Sequence, residues 1–212
     1  MTVTSPHLGR PVGANGEQTR RRIIAAAMRC VAEVGYSQAS IREIARAAGM
    51  TSGSLYHYFP NKSELLRATD DEIEAIVLPR LRAAAAQSAD VIDRLDAVLD
   101  ESKRLKREYP HLAAFLRASA EGTTELRRGA PNYPGSKALR DVVAEIIADA
   151  RAQGVLSRDA DAAAAVEAIC VLTRGLSERA ASLPPDAYDA ALGAAKRMIR
   201  GTLFARRKRN RR

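Results

Sequence analysis

A chain of 212 residues is too long for a single small helical module, yet short enough for one compact body or two small domains. Apolar residues make up 46% of it, enough for a core. Ala dominates them, aromatics are only 4% and Trp is absent, which is the composition of an all-α protein. The net charge of +9 sits at the ends: residues 1–62 carry eight Lys/Arg against three Asp/Glu, the tail 206–212 carries six bases and no acid, and the stretch between is nearly neutral. That asymmetry favours a polyanion as partner of the amino-terminal part.

Residues 1–16 are polar and rich in Gly, Pro, Ser and Thr, and read as a disordered arm without the apolar stretch of a signal peptide. A first helix is predicted from near Glu17 to Gly35, with Ile23, Ile24, Ala27, Cys30, Val31 and Val34 on one face. Its start holds three arginines, whose charge opposes the helix dipole and suits an anion outside the protein. A second helix starts at Ser40, where Ser40 and Glu43 have the spacing of a capping box, and ends near Gly49. A third opens at Thr51 or Ser52 and stops before Pro60. Asn61, with Glu64 three residues on, caps a fourth. Leu65, Leu66, Ile73, Ile76, Val77 and Leu81 continue that helix, and Pro79 is expected to kink it or end it nearby.

The fifth helix spans Asp90–Tyr109. Pro110 stops it and starts another, through Leu112, Phe115 and Leu116 to about Gly122. Residues 129–136 (GAPNYPGS) read as a loop. Helices follow over Lys137–Gln153, Asp159–Ser182 and Pro185 to about Arg206, broken at Gly154 and at the Pro184-Pro185 pair. No strand pattern and no internal repeat is visible. Cys30 and Cys170, each inside an apolar helical pattern, read as buried free thiols of a reducing cytosol. No Cys/His spacing resembles a metal site, no cofactor motif appears, and no apolar run approaches a membrane span. The expectation is a cytoplasmic protein with no membrane partner.

The segment Ser40–Leu66 concentrates the functional signal. Two helices cross closely at a tight turn only if the contact residues are small and the turn tolerates an unusual backbone. Ala45 provides the first, Gly49 the second, and Ile41, Ile44 and Leu55 the apolar packing beneath. This is the spacing of a helix-turn-helix. On the second helix, Thr51, Ser52, Gly53 and Ser54 leave no bulk at an end that exposes backbone N–H groups to phosphates. Tyr56 and Tyr58 can donate hydroxyls to phosphates or meet thymine methyls, Arg42 can reach guanine in bidentate fashion, and Lys62 adds a point charge. Each also has a plainer role: Tyr58 and Phe59 as core, Tyr56 as helix support, His57 as a polar surface residue, Lys62 as a solvated cation.

The stretch GYSQASIREIARAAGMTSGSLYHYFPNKSELL closely resembles the DNA-binding domain of the tetracycline-repressor (TetR) family of bacterial transcription regulators, over about residues 17–66. The resemblance implies a homodimer whose recognition helices enter successive major grooves of a double-stranded operator. It places Arg42, Ser52, Gly53, Ser54 and Tyr56 at bases or nearby backbone, with His57 beside them. Thr51, Tyr58 and Lys62 fall at phosphates, as do Thr19 and Arg20. The implied architecture is a three-helix DNA-binding domain over 17–62 and a helical effector-binding and dimerisation domain over 63–205, followed by the basic tail 206–212. The implied function is a ligand-responsive regulator, most often a repressor, released by a small, mainly apolar effector.

Beyond Leu66 the reading rests on pattern. One stripe holds Val166, Ile169, Cys170, Thr173 and Leu176; another holds Tyr188, Leu192, Ala195, Ile199 and Leu203. Of these, Val166, Ile169, Thr173, Leu192, Ala195 and Ile199 are candidates for a dimer seam, with the monomer core as the alternative. Phe115, Tyr133, Leu172 and Arg174 are candidates for the effector pocket. Two rival functions remain: a charge-driven non-specific nucleic-acid binder, which would ignore base changes, and a helical small-molecule carrier. An enzyme is disfavoured, because His7, His57 and His111 stand in no catalytic spacing and no phosphate loop appears.

Overall fold

The computed structural model describes residues 12–112, 114–116, 118, 134–180 and 182–203. Eight helices are defined among them: α1 (Val12–Val34), α2 (Ile41–Ala47), α3 (Ser52–Tyr56), α4 (Lys62–Ala85), α5 (Val91–Glu108), α6 (Pro134–Ala152), α7 (Ala162–Ala180) and α8 (Pro185–Ile199). Leu112 and Phe115 lie on a further helical stretch between α5 and α6, and no strand occurs among the described residues. The arm proper, residues 1–11, and the basic tail lie outside them.

The helix starts follow the capping chemistry written in the sequence. The Ser40 hydroxyl accepts the Glu43 N–H at 3.2 Å, while the Glu43 carboxylate accepts the Ser40 N–H at 3.1 Å and its hydroxyl at 2.8 Å. Those bonds to Ser40 hold the Glu43 carboxyl below the usual range. Asn61 Oδ1 accepts the Glu64 N–H at 2.8 Å. Asp90 Oδ1 accepts the N–H groups of Ile92 and Asp93 at 2.9 and 3.0 Å. Each bond satisfies a backbone donor that the helix itself leaves orphaned.

Four boundaries depart from expectation. α1 begins at Val12, not near Glu17; Gly13 and Gly16 lower helix propensity locally but do not outweigh a long apolar face continuing behind them. Pro79 does not end α4, which runs on to Ala85. Val77 and Leu81 on either side are buried, and Arg80 and Arg82 bind Glu101 on α5 (2.7 Å) and Glu145 on α6 (2.6 Å), so packing carries the helix past the missing N–H. Residues 134–136, expected in a loop, open α6, with Pro134 at a position where a helix needs no N–H. α8 ends at Ile199, where Gly201 (φ +66°) turns the chain and Thr202 donates back to the Arg197 carbonyl.

α1, α2 and α3 form a small head, from which α4 passes straight into a body of α4–α8. The core does not divide at residue 62. Ile23, Ile44, Leu55, Leu65 and Leu66 in the head belong to one continuous apolar cluster with Ile73, Leu81, Val98, Phe115 and Ile146 in the body. A smaller cluster of Leu99, Leu176, Tyr188, Leu192 and Ala195 joins α5, α7 and α8. Cys30 and Cys170 are buried and free, and burial raises both thiols.

The residues named for a dimer seam, with the monomer core as the alternative, are largely covered by their own chain. Val166, Thr173, Leu192 and Ala195 are buried within the single chain, and Ile169 and Ile199 pack partly covered against its clusters. The four buried side chains have little area left to bury on a partner, whereas Ile169 and Ile199 keep some. The outward faces of α7 and α8 instead expose Ala164, Ala168, Val171, Gly175, Ala190 and Met198.

One half-buried acid has an oxygen that lacks support. Asp70 on α4 lies near Tyr36, at the junction of head and body. Its Oδ1 is buried without a hydrogen-bond partner, and burial, aided by the Asp71 charge, pushes its carboxyl up to about 7. An acid raised in the folded state favours folding at low pH and loses that advantage as pH rises from about 4 through about 7. Asp70→Asn should therefore match the parent's stability near pH 4 and exceed it above pH 7 by up to about 4 kcal/mol. Urea unfolding across that range measures the gap, and a constant gap would contradict the assignment.

Candidate nucleic-acid interface

The α2–α3 corner is built by its turn. Ala48 caps α2, Gly49 adopts φ +67°, the Gly49 N–H donates to the Arg46 carbonyl (3.1 Å) and the Met50 N–H to the Ala45 carbonyl (3.0 Å). These two bonds close the last turn in a Schellman arrangement, which needs a left-handed residue where Gly49 stands. Ile44, Ala45 and Ala48 on α2 then pack with Leu55 on α3, all nearly inaccessible.

α3 has five residues, and Leu55 alone is buried among them. Thr51, Gly53, Ser54, Tyr56 and His57 are exposed, Ser52 is partly covered, and Tyr56 retains 51% of its accessible surface. Exposure of a tyrosine on so short a helix rules out its being needed for the core. Tyr58 is the opposite case, since it packs half-buried against the main cluster, and Phe59 is fully within it. The small end of α3 is partly self-satisfied. Thr51 Oγ1 accepts the Ser54 N–H at 3.1 Å and lies 2.9 Å from Ser54 Oγ. One of the amides expected to await a phosphate is thus already in use.

Gly53 has room around it. A Cβ built on it would meet only Thr51 Oγ1, at 3.8 Å, an ordinary contact. The fold therefore makes no demand for glycine at this position.

The basic residues are tied down more than the sequence suggested. Arg20 on α1 lies over the Phe59 ring at 4.6 Å. Lys62 donates to the Ser37 carbonyl at 3.1 Å and sits 5.6 Å from the centre of the Tyr36 ring, and burial lowers its ammonium. Arg29, which the sequence reading passed over, donates to the Ala47 carbonyl at 3.2 Å and ties α1 to the end of α2. Nothing in the spacing of Phe59, Tyr36 or Ala47 announces these long-range seats. Arg42 is exposed on α2, and Thr19 is partly covered on α1.

The effector candidates are not brought together. Phe115 is sealed in the main core, Leu172 packs on the smaller cluster, Arg174 is exposed on the outer face of α7, and Tyr133 lies outside the described residues. Among the described residues no group of three or more His, Cys, Asp or Glu could hold a metal, and no helix is long and apolar enough to cross a membrane.

A glycine-turned helix pair whose second member shows nearly all its polar side chains, set on an all-helical body, defines a helix-turn-helix protein. Residues 23–69 match the family described as bacterial regulatory proteins, tetR family. An HTH-type transcriptional regulator BetI of Escherichia coli O17:K52:H18 is 41% identical over 85 residues, which is 38% of this chain and 43% of that protein. The aligned segment thus spans less than half the length of this relative. Among solved structures, the fatty acid degradation regulator FadR from Bacillus halodurans superposes with TM-score 0.71 at 21% identity, covering 89% of this chain and 97% of the other. AibR, solved in complex with isovaleryl coenzyme A and operator DNA, gives 0.67 at 21% identity, covering 85% and 97%. The whole-chain likeness is one of fold, and the relatives are regulators, not enzymes.

Gly49→Ala places a Cβ in the left-handed region and should destabilise the head by about 1–2 kcal/mol. The measure is the urea midpoint, read with far-UV dichroism; an unchanged midpoint would mean the turn does not depend on glycine.

Proposed function

We propose that this chain is a ligand-responsive transcriptional regulator, acting as a repressor, that binds a palindromic duplex operator as a homodimer and is released by a small, mainly apolar effector. The reading rests on one observation: α3 projects Thr51, Ser52, Gly53, Ser54, Tyr56 and His57 outward while the fold asks for only Leu55 beneath. In this reading Arg42, Gly53, Ser54 and Tyr56 meet base edges or adjacent backbone. Thr51, Tyr58, Lys62, Thr19 and Arg20 flank them at phosphates. The complex of AibR with operator DNA supports the assignment by likeness of fold.

Pairing through the outward faces of α7 and α8 is favoured by their small residues, which let backbones approach, and by the exposed Val171 and Met198. Two heads related by that two-fold axis would meet major grooves about 34–36 Å apart. α4 offers the route from effector to head, because it runs through the one continuous core from the head into the body. An effector that prefers one separation of the heads shifts the population towards it, by no more than its difference in affinity for the two states.

The test uses the full chain and duplexes selected from a random library. Gly53→Ala should fold at least as stably as the parent, gaining about 0.5–1 kcal/mol from helix propensity. It should bind the selected duplex at least about tenfold more weakly, a loss of about 1.4 kcal/mol. Arg42→Ala combined with Tyr56→Ala should abolish discrimination between selected and scrambled duplexes while leaving dimer mass and helicity unchanged. Intact selectivity in both variants would remove the interface from α3.

A further inference from the structure

Away from the head, α5, α7 and α8 enclose a cleft of about 310 Å³ that the regulator reading does not use. It sits over the smaller apolar cluster, not the main core, since Tyr188 belongs to both the cluster and the cleft wall. Leu183 and Pro185 add apolar surface from the α7–α8 connection. The opposite wall is the last turns of α5, which present Lys103, Lys106 and Arg107.

The charges in this cleft do not balance. Lys103 is ion-paired with Asp189, the one acid among the described residues of the lining. Lys106 and Arg107 have no ion pair among the described residues, because the acids nearest them in sequence are engaged elsewhere: Glu101 with Arg80 and Arg104, Glu108 with Arg80. Basic residues in a last helical turn are commonly accounted for by the helix dipole. That accounts for an exposed Arg107 but not for a lysine drawn half into the fold beside an apolar wall. Burial, with no ion pair to it among the described residues, pushes the Lys106 ammonium down to about 8, so the site carries a standing electrostatic cost. The Tyr188 hydroxyl makes no hydrogen bond among the described residues. The α8 end, begun by Pro184 and Pro185, has no side-chain cap.

We infer that this cleft binds a small organic anion: a carboxylate or phosphate held by Lys106 and Arg107, joined to an aromatic or short aliphatic body lying against Tyr188 and Leu183. An anionic head pairs the two uncompensated cations and can accept from the Tyr188 hydroxyl. The apolar body covers the wall that the cleft leaves wet. The volume is at the lower end of the about 300–1,000 Å³ typical of ligand pockets, which suits a single-ring compound. The site lies apart from the head and stands whether or not the chain binds an operator.

The experiment is calorimetric titration of the full-length protein with phenylacetate, phenyl phosphate, neutral phenylacetamide and inorganic phosphate. It is repeated on Lys106→Gln/Arg107→Gln and on Tyr188→Leu. Phenylacetate or phenyl phosphate should bind at one site per chain at least tenfold more tightly than phenylacetamide, and whichever of the two is tighter identifies the head group. The double variant should lose at least tenfold of that affinity and keep the parent's melting temperature within a few degrees. Tyr188→Leu, which keeps the apolar wall, should retain the preference for the anion with weaker binding. Inorganic phosphate binding as tightly as phenyl phosphate would overturn the amphiphilic ligand. Equal affinity for phenylacetamide, or an unaltered double variant, would overturn the site. A double variant that loses duplex binding while its anion titration stays as in the parent would show that these cations serve nucleic acid, and would equally overturn it.

Discussion

α4 is packed twice. Its first turns give Leu65 and Leu66 to the core beneath α1 and α2, and its later turns give Ile73, Val77 and Leu81 to the core shared with α5 and α6. A rigid rod embedded along one continuous core cannot tilt at its head end without strain at its body end, because close-packed interiors do not deform continuously. The position of the head is therefore set by the packing of the body. Every functional reading of this chain depends on that constraint: how the recognition surface is aimed, how two heads would be spaced, and how a compound bound far away could be felt there.

Ion pairs decorate this arrangement without creating it. α4 is joined to α5 through Arg80 with Glu101 and Glu108, and to α6 through Arg82 with Glu145 and Lys137 with Glu74; α5 is joined to α8 through Arg200 with Asp93 and Asp96. Most of these groups are half-exposed, where such pairs contribute little each. Their value is in register, since each fixes which turn of one helix faces which turn of the next. Asp70 stands out against this background as an acid placed at the junction of head and body without a cation.

What the sequence made legible was local. Ser40 with Glu43, Asn61 with Glu64, Asp90 and Gly49 act on neighbours within a few residues, so the helix starts and the reading corner could be placed by inspection. That α4 runs on past Pro79 to Ala85 was not legible, because it depends on partners on α5 and α6 that lie far along the chain. The stripe from Val166 to Leu176 had the right spacing for a buried face, but periodicity does not say whether the covering surface belongs to the same chain or another. Phe115, Leu172 and Arg174 were grouped by residue type, and the fold sends them to a core, a satellite cluster and a surface. The cation seats on Phe59 and Tyr36 and the basic cleft of α5 were illegible for the same reason: each is assembled from separate helices.

The seats of Arg20 and Lys62 have a further consequence. The contacting groups are neutral, an aromatic ring for one and a carbonyl with a ring for the other, with the Glu43 charge acting on Lys62 from farther off, so each cation is held with its charge largely retained. Long basic side chains ordinarily surrender rotamer entropy when they settle on a phosphate, at a cost of about 0.5–1.5 kcal/mol each. Here that ordering has occurred on folding. The flanks of the head are thus ordered before any ligand arrives, whereas Arg42 stands exposed on α2.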